Sequence, residues 1–207
     1  YAREGFVTVS LGWILISLFG ALPFFISGAI PNFLDCWFET VSGFTTTGSS
    51  ILTDVEALPR SMLYWRSFTH WLGGMGVLVF MLAVVPLVKG SGETFHLLRA
   101  ESPGPSVDKL APTMRRSARI LYSIYIALTL LQVVLLLLGG MPLFDSVVHT
   151  FGTAGTGGFS MKNASIGAYD SAYLQAVIGI FMALFGVNFA IYHLILIKQF
   201  RAAFRNE

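Results

Sequence analysis

Apolar and polar positions alternate over long stretches of this chain. Apolar runs at 5–27, 64–88, 118–138 and 172–197 are separated by segments rich in Gly, Thr, Ser and Pro. Each run is long enough, as a helix, to cross about 30 Å of hydrocarbon. A shorter apolar stretch, 32–44, follows the break at Pro31-Asn32, and its counterpart, 142–154, follows Gly139-Gly140-Met141-Pro142. These breakers end the helix before them, and Asn32 or Asp35 can cap the next one. At 1.5 Å per residue a helix over 32–44 is about 20 Å long, too short to span. The pattern therefore predicts a re-entrant or interfacial half-helix in each half of the chain.

The two halves are copies in register. Adding 110 carries Asp35 to Asp145, Thr40 to Thr150, Thr46 to Thr156, Gly48 to Gly158 and Ser50 to Ser160. Further out it carries Ser61 to Ser171 and Gly76 to Gly186. The duplication centres on Thr45-Thr46-Thr47-Gly48-Ser49-Ser50 and Gly155-Thr156-Gly157-Gly158-Phe159-Ser160. Each unit crosses twice, so both units have the same orientation and are parallel repeats about an axis along the membrane normal. The expected fold is an all-α integral membrane protein of two helix–pore-helix–filter-loop–helix repeats. The first occupies 1–88, with its short helix at 32–44 and its loop at 45–50. A cytoplasmic linker covers 89–117. The second occupies 118–207, with its short helix at 142–154 and its loop at 155–160.

Composition agrees with a membrane location. The chain is 55% hydrophobic and 12% charged, with a mean hydropathy of +0.71, more apolar than an ordinary soluble domain. A single cysteine, Cys36, excludes an intrachain disulfide and reads as a packed thiol. The net charge of +2 argues against nucleic acid as a partner. Ten of the 13 basic residues lie in the linker region, at the C-terminus or at Arg3; Arg60, Arg66 and Lys162 fall on the opposite side. The positive-inside rule puts both termini and the linker in the cytoplasm, with the Thr/Gly loops opening outward. The chain begins with Tyr rather than Met, which suggests a portion of a longer protein.

Non-helical backbone cannot face lipid, because each unsatisfied N–H or C=O costs several kcal/mol. Loops that follow half-helices must be buried or line water. Gly48 and Gly158 permit positive φ and leave room for carbonyls to turn inward, and Thr adds a hydroxyl oxygen. The C-terminal ends of the short helices, near Phe44 and Ala154, each add roughly half a negative charge. Neither loop contains Lys or Arg. One Thr/Gly loop alone is better explained as a tight turn. Two in register, each after a sub-spanning helix, favour an oxygen cage for an alkali cation.

Other polar residues read more simply. Glu39 lies in the first short helix, where it can hold loop backbone, and His149 takes its place in the second. Asp35 and Asp145 read as caps or interfacial groups, Arg60, Arg66 and Lys162 as packing or anchoring groups on the outer side. Asn188 suits an interhelical hydrogen bond as well as a pore-lining role. Gly73, Gly74, Gly76, Gly179 and Gly186 read as close-packing positions. His70, His96, His149 and His193 make no i, i+4 metal pair. No acid, base and nucleophile converge, which argues against an enzyme.

At these motifs the chain resembles the Trk/Ktr/HKT superfamily of cation transporters, closest to the bacterial Trk potassium uptake membrane subunit. The likeness runs through residues 39–48, Leu58-Pro59-Arg60-Ser61, Trp71-Leu72-Gly73-Gly74-Met75-Gly76, residues 99–105 and Thr156-Gly157-Gly158-Phe159-Ser160. The resemblance implies the first two of four pore repeats in a pseudo-fourfold cation pore. It implies a selectivity filter at Thr45, Thr46, Thr47, Gly48 and Ser49 and at Gly155, Thr156, Gly157, Gly158 and Phe159. Glu39 would support this filter, and potassium would contact Thr46, Thr47, Thr156 and Gly157. Gly48, where some sodium-transporting plant relatives have Ser, leans toward potassium. K+ is then the transported ion, with no organic cofactor. The implied partners are the remaining repeats, a second copy in a homodimer, and a cytosolic nucleotide-binding regulatory subunit, at a bacterial cell membrane. Two alternatives stay open: a two-repeat channel active as a dimer of this chain, and a non-conducting scaffold or regulatory subunit. Both passive and ion-coupled movement fit the sequence.

Overall fold

The computed structural model describes residues 2–76, 114–187, 189, 191 and 192, and every regular element among them is helical. The first half contains α1 (Ala2–Ile26), α2 (Phe33–Phe44) and α3 (Arg60–Gly74). The second contains α4 (Met114–Leu138), α5 (Leu143–Ala154), one 3-10 turn at Ser165–Ala168, and α6 (Ala172–Gly186). The linker's basic residues Lys89, Arg99 and Lys109, together with His96, Asn188 and His193, lie outside the described residues.

Both long helices end on left-handed glycines. Gly28 has φ +68° and Gly140 φ +84°, and each N–H bonds to a carbonyl of the last helical turn, Phe25 at 3.1 Å and Leu137 at 2.9 Å. Glycine supplies this reversal without a Cβ clash. The chain then re-enters helix at once. Asn32 Oδ1 accepts the Leu34 amide at 3.0 Å, so Asn32 rather than Asp35 is the cap of α2. Pro142, with φ −55°, precedes α5.

Several element boundaries differ from those read in the sequence, among them the end of α3, at Gly74 rather than 88. Helix α4 begins at Met114, so the last four residues of the 89–117 linker are its first turn. Helix α3 begins at Arg60, directly after Pro59, because a Pro is readily accommodated where a helix starts. The 172–197 run is not one continuous helix. At Val187 the backbone is extended, with φ −73° and ψ 140°. The Leu184 carbonyl accepts the Val187 amide at 3.2 Å and the Tyr192 hydroxyl at 2.8 Å, which satisfies the oxygen at the break.

Helix α3 packs against both short helices, α2 and α5, and so joins the two halves. Helix α1 covers α2, and α4 packs on α5 and α6. A cluster of Leu58, Leu63, Val148 and Met161 lies across this junction, while Tyr125, Leu136, Phe181 and Phe185 fill the second half. Cys36 is buried, its thiol donating to the Ile30 carbonyl. Val9–Ile26 and Arg119–Leu138 are long and apolar enough to cross a membrane, and they leave Leu11, Phe19, Ile26, Leu130 and Leu138 exposed.

The two polar connections following the Thr/Gly loops clasp each other. Asn163 accepts the Val55 amide at 2.8 Å and donates to Asp54 at 2.8 Å. Lys162 pairs with Glu56 at 3.1 Å, and the bonds from Lys162 and from the Asn163 amide hold the Glu56 carboxyl below its ordinary range. Deeper in, the Tyr169 hydroxyl donates to Asp145 at 2.6 Å. Burial first, and then this bond, raise the Tyr169 phenol above its usual value. Tyr169→Phe is expected to destabilise the purified complete protein by about 2 kcal/mol, the scale of a lost bond to a charged acceptor. A melting temperature unchanged from wild type would contradict this.

Candidate functional site

The backbone after each short helix follows the same course. Thr45 and Gly155 both have φ −79° and close the last helical turn. Thr46 and Thr156 are left-handed, at φ 55° and 56°, and Gly48 and Gly158 follow at 78° and 79°. A β-branched residue in the left-handed region is a genuine outlier. Each threonine is held there by its own amide, Thr46 to the Gly43 carbonyl at 3.1 Å and Thr156 to Thr153 at 2.8 Å. Loop 45–50 is tied further by Thr47 N to Ser42 O at 3.0 Å, and by Thr45 Oγ1, which bonds to Val41 O at 2.7 Å and lies 2.8 Å from Thr47 Oγ1. Ser42 Oγ donates to the Ser49 carbonyl. The counterpart of Ser42 is Gly152, where a Cβ would collide with the Phe159 carbonyl.

The loops meet each other. A Cβ on Gly48 would collide with the Gly157 carbonyl oxygen. A Cβ on Gly157 would lie 2.8 Å from the Thr46 carbonyl oxygen and 2.6 Å from the His70 ring. Gly158, by contrast, has nothing among the described residues within 4 Å of the same position. The contact runs from the left-handed glycine of one loop to the following loop, and the corresponding side of the second loop is open. Thr45, Thr47, Ser49, Thr156 and Gly158 are exposed, Thr46, Gly48 and Gly157 half-buried, and Gly155 and Phe159 buried.

Behind the loops stands a set of buried side chains. Glu39 accepts Ser50 Oγ at 2.9 Å and the Ile51 amide at 3.0 Å, and pairs with Arg66. Arg66 also donates to the Ser160 carbonyl at 2.9 Å. The Phe159 ring lies 3.6 Å from the Arg66 guanidinium carbon and is stacked on His70 at 3.9 Å. In the second half His149 Nε2 bonds to Ser160 Oγ at 3.0 Å, so Glu39 and His149 both hold the serine that ends their own loop.

Sequence reasoning placed Arg66 among outward packing or anchoring groups; it is buried between the loops, only 3% exposed. The available signal was a lone Arg inside an apolar run, which has to find a partner. Gly73 and Gly74 are close-packing positions with a specific purpose. A Cβ on Gly73 would collide with the Phe44 carbonyl, and one on Gly74 would lie 2.9 Å from the Ala154 carbonyl. One Gly-Gly step of α3 thus lets the C-terminal ends of both short helices approach. Among the described residues nothing lies within 4 Å of a Cβ added at Gly179 or Gly186, so no close packing is seen at these two glycines.

Among the described residues every regular element is helical, and two apolar helices of membrane-crossing length stand around short helices that end in touching loops. The chain belongs to the TrkH family of cation transport proteins, whose profile matches residues 1–205; this is a family of transporters, not of enzymes. The chain is 40% identical over 194 residues to the Trk system potassium uptake proteins TrkH of Salmonella typhimurium and Escherichia coli, covering 92% of this chain and 40% of each relative. It is 38% identical over 199 residues to TrkG of Escherichia coli, covering 95% of this chain and 41% of that protein. The crystal structure of the potassium transporter TrkH from Vibrio parahaemolyticus matches with a TM-score of 0.73 and 32% identity, over 92% of this chain and 37% of that one. The chain thus spans about two fifths of the length of the curated relatives it matches.

Gly73→Ala is expected to destabilise the complete protein by about 2 kcal/mol or more, because backbone must move to admit the methyl group. Gly179→Ala, in open space on a helix, is expected to be neutral or to stabilise by up to about 1 kcal/mol. Thermal unfolding of the two variants in one detergent checks the contrast, and equal effects would contradict it.

Proposed function

We propose that this chain supplies two adjacent parallel repeats of a potassium uptake pore, with residues 45–50 and 155–160 as two segments of its selectivity filter. The observation that carries the reading is the contact of Gly48 with Gly157, beside the open face at Gly158. A contact of this head-to-tail kind continues from copy to copy until a ring closes. Two copies leave the ring open, which fits a chain of about two fifths of its relatives' length and a pore completed by further repeats. A second copy of this chain could meet the same open face, the two-repeat alternative.

On this reading, the alternation of negative and positive φ along each loop turns carbonyls toward a common axis, where they replace the hydration shell of K+. Thr46, Thr47, Thr156 and Gly157 supply the oxygens nearest the ion, and Thr45, Gly48, Ser49, Gly155, Gly158 and Phe159 complete the two segments. The Phe159 ring packs behind its loop, so its contribution is through backbone. The ends of α2 and α5 add negative potential, and Glu39 supports the first loop from behind. The reading includes outward-opening loops, cytoplasmic termini, a homodimer, and a cytosolic nucleotide-binding partner on the 89–117 side. The relatives' names as potassium uptake proteins and glycine at position 48 favour potassium as the cargo.

The test uses the complete protein in bacteria that lack their own potassium uptake. Wild type is expected to restore growth on low potassium, and Gly48→Asp and Gly158→Asp to abolish that rescue at normal membrane abundance. A side chain at either position needs φ near +79°, and Asp adds a charge beside the ion. Rescue by both well-expressed variants would remove the filter assignment.

A further inference from the structure

Four polar contacts, through one carboxylate and one guanidinium, form a continuous path from the end of the first loop to the end of the second. It starts at Ser50 Oγ and the Ile51 amide, which both donate to Glu39. It passes through the Glu39–Arg66 ion pair to Arg66 Nη1, which donates to the Ser160 carbonyl at 2.9 Å. The guanidinium face covers Phe159 with its carbon 3.6 Å from the ring centroid. Glu39 is 1% exposed and Arg66 3%. Helix α3 carries Arg66, and it is the helix that packs on both short helices.

We infer that Arg66 is a specificity-determining positioning residue, a strut that fixes the separation of the two loops and through it the discrimination between K+ and Na+. The inference rests on the filter reading above and names a residue that reading does not use. Arg66 is set apart from a simple counter-ion by the number of things it does at once. One N–H serves the carboxylate, another serves a loop carbonyl, and the flat face stacks on an aromatic ring. Only a planar, forked cation can satisfy all three. A lysine ammonium can balance the Glu39 charge but is a compact point charge without the stacking face.

The charge itself would work against a cation pathway if it were unpaired. Neutralised by Glu39, it leaves geometry as the main contribution of Arg66. Among the described residues that geometry occurs once, at the joint between these two loops. Helix α6 carries no Lys or Arg from Ala172 to Gly186, and in the second half His149 takes the place of the carboxylate. A filter that selects by oxygen spacing is sensitive to a shift of one loop against the next, and the strut holds that spacing at one joint.

The test measures K+ and Na+ flux into proteoliposomes holding the complete protein. Two variants keep the charge balanced but remove the fork: Arg66→Lys, and the double change Glu39→Gln with Arg66→Gln. Both are expected to reach the membrane in normal amounts and to lower the K+/Na+ flux ratio by about fivefold or more. Gly48→Asp is measured alongside. If either fork-removing variant accumulates normally and keeps the wild-type ratio while Gly48→Asp abolishes K+ flux, the strut is overturned and the filter reading stands. If Gly48→Asp itself keeps normal K+ flux, the filter reading fails and takes this inference with it. If neither fork-removing variant accumulates, Arg66 is required for folding rather than for selectivity, and the inference is overturned as well.

Discussion

Two helices of this protein stop short, and the backbone released at their ends has to find other partners. In an apolar setting an unpaired amide or carbonyl costs several kcal/mol, more than any single packing contact returns. The arrangement around residues 45–50 and 155–160 follows from this constraint. Thr45, Thr46 and Thr47 donate back into α2, and Gly155, Thr156 and Gly158 back into α5. Glu39 receives the Ile51 amide and Ser160 Oγ receives the Lys162 amide. With their donors used in these directions, the loops keep a left-handed threonine and a left-handed glycine each. Helix α3 can approach closely enough to hold both loops because Gly73 and Gly74 face the last carbonyls of the short helices.

The two halves satisfy the same need with different chemistry. In the first, Glu39 anchors its loop as an ion-paired carboxylate, and a buried carboxylate demands a counter-charge, which Arg66 supplies. In the second, His149 anchors Ser160 while its Nδ1 bonds to the Asp145 carbonyl oxygen at 2.9 Å. A neutral imidazole that donates to that carbonyl has Nε2 free to accept the serine hydroxyl, and no counter-charge is needed. Buried ion pairs are a weak source of net stability, because desolvation offsets attraction, and their better-attested use is to fix register. Arg66 fits that use, since its second donor goes to a carbonyl 94 residues away.

Much of the helical pattern was legible in the sequence because it depends on local signals. Gly139-Gly140 ends one helix and Asn32 caps another through local bonds, and a positive φ is readable at Gly48 and Gly158 because glycine tolerates it. Thr46 and Thr156 gave no such signal. Nothing local about a β-branched residue advertises a left-handed backbone, which here is imposed by hydrogen bonds to Gly43 and Thr153. Arg66 was legible as a charge in an apolar run, but its position in the run suggested the outer edge. Its partners lie 27 and 94 residues distant, and a periodicity argument has no access to such distances. The same limit explains the glycines. Gly73 and Gly179 look alike in sequence, and only the approach of Phe44 to the first separates a packing requirement from an open helix face.

On the proposed reading, the surfaces left open in this chain are as informative as its contacts. Leu34 on α2 is 65% exposed and Phe38 47%. A helix that is too short to cross a membrane gains little by turning such residues toward lipid, because its polar ends would be drawn in with them. The face has more to gain by packing against a neighbouring repeat, as α5 does against α3. The loops lead to the same conclusion. If Gly158 met a following loop as Gly48 meets Gly157, its φ near +79° would serve the same close approach in both copies. A left-handed glycine with nothing in front of it has no local reason to be glycine rather than asparagine, which also tolerates that region. Its identity is explained once a further carbonyl occupies the space, and that requires more loops than this chain contains.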